Sequence, residues 1–122
     1  MTKIPLTLGQ KQEEFTLYLA RFLVSVEHTY GLRPRLREVQ RTPEQQNLYV
    51  QQGKSKTKNS KHLQSLAADI YFFRPDGTPA SANEMVTVGK LWQSGHNAAV
   101  WGGFWAGFPD YPHFEFNYPD LG

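Results

Sequence analysis

The chain has 122 residues, with 13 Lys and Arg against 11 Asp and Glu, and it contains no cysteine. This length suits one domain with a single core, so we expect one domain over residues 1–122. The absence of cysteine excludes disulfides and thiolate metal ligands, and a net charge of +2 argues against a dedicated nucleic-acid binder. No apolar run reaches the length of a membrane span.

The first half of the sequence predicts a long helix, a strand and a short helix. A capping box and a closing glycine bound a helix over 7–31. Its apolar residues recur on one face: Phe15, Leu19, Phe22, Leu23, Val26 and Tyr30. Residues 32–41 alternate in part, which favours a strand, and 42–53 begin with Thr-Pro and end with glycine, which favours a helix. Its apolar residues are Leu48, Tyr49 and Val50. The basic run 54–61 is typical of an exposed loop.

The second half predicts a buried strand and a third helix. Residues 66–73 are almost wholly apolar and bounded by a turn, which indicates a strand with Asp69 on one of its faces. A capping box begins a helix over 81–95, and residues 97–100 could extend that helix after a break.

A glycine- and aromatic-rich loop then leads into a last strand, in which His113 and Glu115 share one face. Helices and strands therefore alternate along the chain. This order predicts a small α+β domain, with a few-stranded and mainly antiparallel sheet packed against about three helices.

Two histidines and an aspartate are candidates for a metal site: His62, Asp69 and His113. An acid in so apolar a strand is costly to bury unless it is paired or bound to metal. Such a set can give zinc three protein ligands and leave its fourth position open for water. Asp110 is a candidate general base and acid, and Arg41 a candidate cation for a developing oxyanion. Taken singly, His62 could equally be a surface histidine and Asp110 a turn residue.

Four segments resemble one peptidase family. The run SKHLQSLAAD at 60–69 resembles the S-x-H-x-x-G-x-A-x-D pattern of the zinc D-alanyl-D-alanine carboxypeptidase family, which includes the L-alanyl-D-glutamate endopeptidases used as phage endolysins. The run DYPH at 110–113 resembles its second element, acid-x-x-His. Residues 41–46 are similar to its upstream arginine segment, and 101–103 to the loop before the second element.

The resemblance implies roles for individual residues. It implies zinc as the cofactor, with His62, Asp69 and His113 as ligands, Asp110 as the acid/base, and Arg41 as an electrophilic or carboxylate-binding residue. It also implies the fold shared by these carboxypeptidases and the hedgehog proteins.

Further expectations follow from the matching segments. Ser60 and Trp101, together with Arg41, are expected to bind substrate. Ser65 stands where the family pattern has glycine, which is expected to affect the turn before the strand. The second element begins with Asp110, as in the endolysin-like branch, where the carboxypeptidase and dipeptidase branches usually have glutamate. This favours cleavage of the L-alanyl-D-glutamate bond.

We therefore expect a monomeric, endolysin-like catalytic domain that hydrolyses peptidoglycan stem peptides with a zinc-bound water, without a separate cell-wall-binding domain. Neither nucleic acid nor stable membrane insertion is expected. The N-terminus lacks the apolar core of a secretory signal, so synthesis in the host cytoplasm and holin-dependent release to the wall or periplasm are expected. The alternatives are a D-alanyl-D-alanine carboxypeptidase or dipeptidase, and a non-catalytic wall-binding module that uses Lys54, Lys56, Lys58 and Lys61.

Overall fold

The computed structural model describes residues 5–39, 42–52 and 61–118. In these ranges the helices are α1 (Leu8–Tyr30), α2 (Pro43–Gln51) and α3 (Ala82–Ser94), and the strands are β1 (Arg33–Leu36), β2 (Ala67–Phe73), β3 (Ala99–Trp101) and β4 (His113–Phe116). Single 3₁₀ turns cover Lys61–Gln64, before β2, and Gly102–Phe104, after β3. The predicted α+β class is confirmed. None of the described helices combines the length and apolarity that a membrane span requires.

The four strands form one antiparallel sheet in the order β1-β2-β4-β3. The C-terminal part of β2 pairs with β1, where Ile70 lies opposite Leu36. The N-terminal part of β2 pairs with β4, where Asp69 lies opposite His113. Asp69 therefore sits at the centre of the sheet, where the two pairings meet.

The core lies on one face of this sheet and is rich in aromatic rings. The Trp92 ring of α3 lies 4.9 Å from that of Phe22 on α1 and 5.6 Å from that of Phe114 on β4, measured between centroids. The Trp92 indole N–H also donates to the backbone oxygens of Val100 and Glu115, both at 3.1 Å. These contacts fix both long helices to one face of the sheet. Alternation directs Asp69 and His113 to the opposite face.

The predicted boundaries of α1 and α3 are confirmed because their signals are local. Both capping boxes are present, with Thr7 and Ser81 each accepting a hydrogen bond from the backbone three residues on. Gly31 ends α1 in the left-handed conformation, with φ of 69°. The predicted apolar face of α1 supplies four buried residues: Phe15, Leu19, Phe22 and Val26.

Two other predictions of local structure are wrong. Residues 97–100 do not extend α3, because Ala99–Trp101 forms β3 between α3 and β4. The first strand is shorter than predicted and covers only Arg33–Leu36. In α2 the buried residue is Gln46, while Leu48 is 47% exposed. Of the predicted basic loop, only Lys61 lies within the described residues.

Ser65 adopts a left-handed backbone conformation, with φ of 55°, in the turn between His62 and β2. Ser65 is the residue that replaces the glycine of the family pattern. An L-residue in this region costs roughly 1–2 kcal/mol relative to a right-handed conformation, and glycine escapes that cost. The turn that carries His62 is therefore built on a strained position.

Ser65→Gly is expected to raise the free energy of unfolding by about 1 kcal/mol, which corresponds to a melting temperature higher by about 3–6 °C. Thermal unfolding of the metal-free protein measures the change. Ser94→Gly, at a right-handed position in the last turn of α3, is a matched control and is expected to lower stability instead. A Ser65→Gly protein no more stable than the parent would contradict the role given to the backbone conformation.

Candidate metal centre

The structure brings together the three residues that the sequence singled out as metal ligands. His62 lies on the 3₁₀ turn, Asp69 on β2 and His113 on β4. One ligand atom from each lies within 4.8 Å of the other two. The β2–β4 register sets Asp69 opposite His113, and the turn before β2 folds His62 back over Asp69. Their role as ligands remains a prediction, and the geometry that it requires is present.

His62 is completely buried and is held through both ring nitrogens. Its Nδ1 lies 3.2 Å from the carbonyl oxygen of Val39, and its Nε2 lies 3.2 Å from Oδ1 of Asp69. Because a carbonyl can only accept, Nδ1 carries a proton. Nε2 is therefore the nitrogen that can offer a lone pair to a cation beside Asp69.

A β-bulge after β1 sets the position of the Val39 carbonyl. The Arg37 N–H donates to the Asp69 oxygen at 2.8 Å, and the Asp69 N–H donates to the Glu38 oxygen at 2.8 Å. Two residues thus oppose one, which is the pattern of a bulge. The Val39 carbonyl follows this bulge and faces the ring of His62, so a backbone group fixes the Nδ1 side of this imidazole while Asp69 contacts the Nε2 side.

His113 is held in the same way as His62, but with the roles of its two ring nitrogens exchanged. Its Nε2 lies 2.7 Å from the Glu115 carboxylate, and its Nδ1 lies 3.7 Å from Oδ1 of Asp69. Both His113 and Glu115 are buried, and the Trp105 ring packs against the imidazole with 4.9 Å between centroids. Glu115 therefore fixes one nitrogen of His113 and leaves the other directed at Asp69, as carboxylates commonly do behind metal-bound histidines.

The charges of this cluster shift two pKa values in opposite directions. Burial alone would raise the pKa of Asp69, but the imidazoles of His113 and His62 outweigh it and hold that pKa below its ordinary value. Burial alone would lower the pKa of His113, but the carboxylates of Asp69 and Glu115 outweigh it and raise that pKa to about 9. Without a metal, a proton on His113 offsets part of the buried negative charge.

The arrangement fits a divalent cation in donor type and in charge. Two imidazole nitrogens and a carboxylate oxygen converge, which is a ligand set typical of catalytic zinc. Two carboxylates, that of half-buried Asp69 and that of buried Glu115, would balance a charge of +2 with both imidazoles neutral. The second nitrogen of each histidine already has an acceptor, as metal sites require.

The raised pKa of His113 gives a pH prediction. In the metal-free protein its stabilising contribution is complete below the unfolded pKa of 6.5 and is lost as the pH rises through about 9. Asp69 has a lowered pKa, so its contribution to stability is present above pH 3.8 and is lost as the pH falls further.

Metal binding requires neutral His113 and must displace its proton. Zinc affinity, measured against a competing chelator, is therefore expected to rise roughly tenfold per pH unit up to about pH 9. A pH-independent affinity between about pH 6 and about pH 8 would contradict this coupling.

Asp110 lies beside this cluster and is held by Gly102. The Asp110 N–H donates to the Gly102 oxygen at 2.9 Å, and the Asp110 oxygen accepts from the His113 N–H at 3.2 Å. A Cβ on Gly102 would lie 2.6 Å from the Asp110 oxygen, so only glycine permits this approach. The charge of Asp110 contributes to the raised pKa of His113, which places it within electrostatic reach of the site.

The other predicted site residues lie elsewhere or outside the described ranges. Arg41 and Ser60 are outside the residues that the structure describes. Trp101, expected to bind substrate, has no exposed surface, and its indole N–H donates to the Tyr111 oxygen at 2.7 Å. It packs so closely that a Cβ on Gly103 would lie 2.2 Å from its ring. In this structure Trp101 therefore supports the segment that carries Asp110, and its contact with substrate stays a prediction.

Three residues contribute to the site without having been assigned a role from the sequence: Val39, Gly102 and Glu115. Alternation with His113 along β4 is the signal that could have identified Glu115 as its partner. For Gly102 the available signal is the pair Gly102-Gly103, since glycine is common where the backbone comes close to another group, but that signal does not name the group. Nothing in the sequence marks the carbonyl of Val39, because every residue has one.

Comparisons with known proteins identify a family and a fold for this chain. A family model described as D-alanyl-D-alanine carboxypeptidase matches residues 53–116. The L-alanyl-D-glutamate peptidase of Listeria phage A118 is 34% identical over 116 residues, which cover 92% of this chain and 40% of that protein. This chain thus spans about two-fifths of the length of that relative. The crystal structure of the Serratia marcescens L-Ala D-Glu endopeptidase ChiX has the same fold, with a TM-score of 0.65 at 22% identity, covering 91% of this chain and 89% of ChiX.

The chain has the fold of ChiX, and His62, Asp69 and His113 form a group that could hold a metal ion. The family match covers more than half of the chain and includes all three of these residues. The chain belongs to the D-alanyl-D-alanine carboxypeptidase family.

Proposed function

We propose that this chain is a zinc-dependent peptidoglycan peptidase that hydrolyses the L-alanyl-D-glutamate bond of stem peptides. The observation that carries the proposal is the orientation of the two imidazoles. His62 Nε2 and His113 Nδ1 both face Asp69 Oδ1, at 3.2 and 3.7 Å, while the opposite nitrogen of each ring has its own acceptor. A cluster of this kind has ligands ready for a cation and leaves room for a water.

The residues of the chain divide the chemistry among them. Zinc held by His62, Asp69 and His113 would bring the pKa of a bound water towards neutrality. A carboxylate oxygen of Asp110 accepts a proton from the attacking water and returns it to the leaving amine. The guanidinium of Arg41 binds carbonyl or carboxylate oxygens of the substrate, because it stays charged and offers paired donors.

Which peptide bond is cleaved is inferred from the relatives and from the aspartate at position 110. The phage A118 relative and ChiX are both named for the L-Ala–D-Glu bond. An aspartate at position 110 is the residue that the resemblance associates with this branch. The description of the matching family favours a second candidate, removal of a terminal D-alanine, which uses the same metal chemistry on a different bond.

Digestion of purified muropeptides with the zinc-loaded protein distinguishes these activities. Mass spectrometry is expected to show a product with a new N-terminal D-glutamate and a partner that ends in L-alanine. Loss of a single alanine from the C-terminus would establish the carboxypeptidase instead. Intact muropeptides, together with salt-sensitive binding to cell walls, would favour the non-catalytic module. A chelator-treated sample is the control, and re-addition of zinc is expected to restore cleavage.

The proposed setting follows from the same relatives. The chain acts as a monomeric catalytic domain on the cell wall, and in a phage context it reaches the wall through a holin-made lesion. The A118 relative supports the phage context. Co-expression with and without a holin tests the route, and lysis without a holin would overturn it.

A further inference from the structure

A row of exposed arginines, with exposed Tyr71 and half-buried Phe73 beside them, continues from the candidate metal centre across β1 and β2. We call Arg33, Arg35, Arg37, Tyr71 and Phe73 the arginine–aromatic strip. Tyr71 and Phe73 follow Asp69 at alternate positions of β2, so all three point to one face. Arg35 lies opposite Tyr71 and Arg33 opposite Phe73 in the register with β1. The strip therefore lies on the face that holds the cluster.

The aromatic rings order the arginines. The Arg35 guanidinium carbon lies 3.7 Å from the centroid of the Phe73 ring, and that of Arg37 lies 5.6 Å from the Tyr71 ring. A guanidinium stacked on a ring keeps its N–H donors available at the edge of its plane. These arginines are thus held in place without using their hydrogen-bonding capacity.

Within residues 5–39, 42–52 and 61–118, no ion pair engages the three arginines of the strip. Arg74 provides the contrast, since it is paired with Glu84 near the start of α3. The nearest acid in sequence, Glu38, is partly buried and accepts a hydrogen bond from the Tyr49 hydroxyl at 3.2 Å. The strip is therefore a local excess of positive charge in a chain whose net charge is only +2.

The strip begins at the metal centre and has the length of a short peptide. The backbone of Arg37 is hydrogen-bonded to that of Asp69 at 2.8 Å. Residues on one face of a strand repeat about every 6.6 Å, so Asp69, Tyr71 and Phe73 span about 13 Å. An extended peptide of about four residues has that length.

We propose that the arginine–aromatic strip binds the carboxylates of the stem peptide on the D-glutamyl side of the cleaved bond. This rests on the proposed function, which places that bond at the metal centre. Glutamate in a peptide keeps one carboxylate after forming its chain amide, and the free end of the peptide carries another. The L-alanyl side offers no comparable negative charge. A peptide that runs from the cluster along β2 would set its carboxylates against Arg37 and Arg35.

The test compares two soluble peptides of one sequence, the first with free carboxylates and the second with the glutamate and C-terminal carboxylates amidated. The variant R35Q/R37Q removes two charges from the strip. Its matched control is R21Q/K90Q, which removes two charges from exposed positions on α1 and α3. Both variants change the formal net charge from +2 to zero.

The ratio of kcat/KM for the free peptide to that for the amidated peptide is expected to fall about tenfold in R35Q/R37Q and to stay at the parent value in R21Q/K90Q. The fall in kcat/KM for the free peptide is expected to come from a higher KM. An unchanged ratio in R35Q/R37Q would overturn the proposal. Reduced cleavage of whole cell walls with an unchanged ratio for the peptides would also overturn it and would point to a wall polymer as the occupant.

Binding separates this proposal from the proposed function. Calorimetry with the zinc-loaded Asp110→Asn protein measures affinity for both peptides without turnover. Tighter binding of the peptide with free carboxylates, reduced when R35Q/R37Q is added, would support the proposed role of the strip. This holds even if the wild-type protein cleaves a different bond. Equal affinity for both peptides would overturn the proposed role of the strip. The cleaved bond is tested separately, by the muropeptide digest.

Discussion

Asp110→Ala is expected to retain bound zinc and to lose kcat by about a hundredfold or more. Asp110 lies outside the cluster whose ligand atoms lie within 4.8 Å of one another, so its removal leaves all three ligands in place. What disappears is the carboxylate that moves the proton between water and leaving amine. The two measurements are kcat on a muropeptide and the zinc content of the purified protein, made on the same sample.

The backbone hydrogen bonds of Asp110 are kept in this substitution. Its N–H and C=O groups hold the turn through Gly102 and His113, and these bonds do not need the side chain. Asp110→Asn is the matched variant, because it keeps the shape and removes the basicity. A folded Asp110→Ala protein that has lost its zinc would instead identify Asp110 as a ligand.

Much of the fold could be predicted because its signals are local. The two residues of each capping box, at the start of α1 and at the start of α3, lie within four positions of each other in sequence. The apolar stripe of α1 repeats with the helical period. The strand β3 was missed for the opposite reason. It has three residues, Ala99–Trp101, too few to show alternation, and it exists because Val100 pairs with Glu115 on β4. Such pairing is a tertiary effect that no short window of sequence contains.

The grouping of His62, Asp69 and His113 was predictable to the extent that it depends on side-chain chemistry. A charged residue in the apolar strand β2 marked Asp69, and the family pattern added His62 and His113. The elements that orient these groups are less visible in the sequence. The bulge at Arg37 and the carbonyl of Val39 are backbone features, and their contribution depends on a fold that must already be formed.

His113→Ala is expected to abolish zinc binding at the centre and, with it, peptidase activity. Removing His113 leaves two protein ligands for the cation. It also leaves the buried carboxylate of Glu115 without its 2.7 Å partner. Losing one member of a buried charged pair costs about 3–5 kcal/mol, a large part of the stability of about 5–15 kcal/mol typical of a domain. Zinc content and thermal unfolding should therefore both change.

A double variant separates the two effects. In H113A/E115Q the buried charge is gone, so the melting temperature is expected to recover in part while zinc binding stays lost. The single variant E115Q keeps all three ligands and a hydrogen-bond acceptor for the ring, but it weakens the hold on the His113 tautomer. Its zinc affinity is expected to fall about 10- to 100-fold, the range for groups behind a metal ligand. Zinc bound by H113A/E115Q with parental affinity would show that His113 is not a ligand. The zinc would then be bound without His113, and the His113–Glu115 pair would be a buried ion pair that only stabilises the sheet.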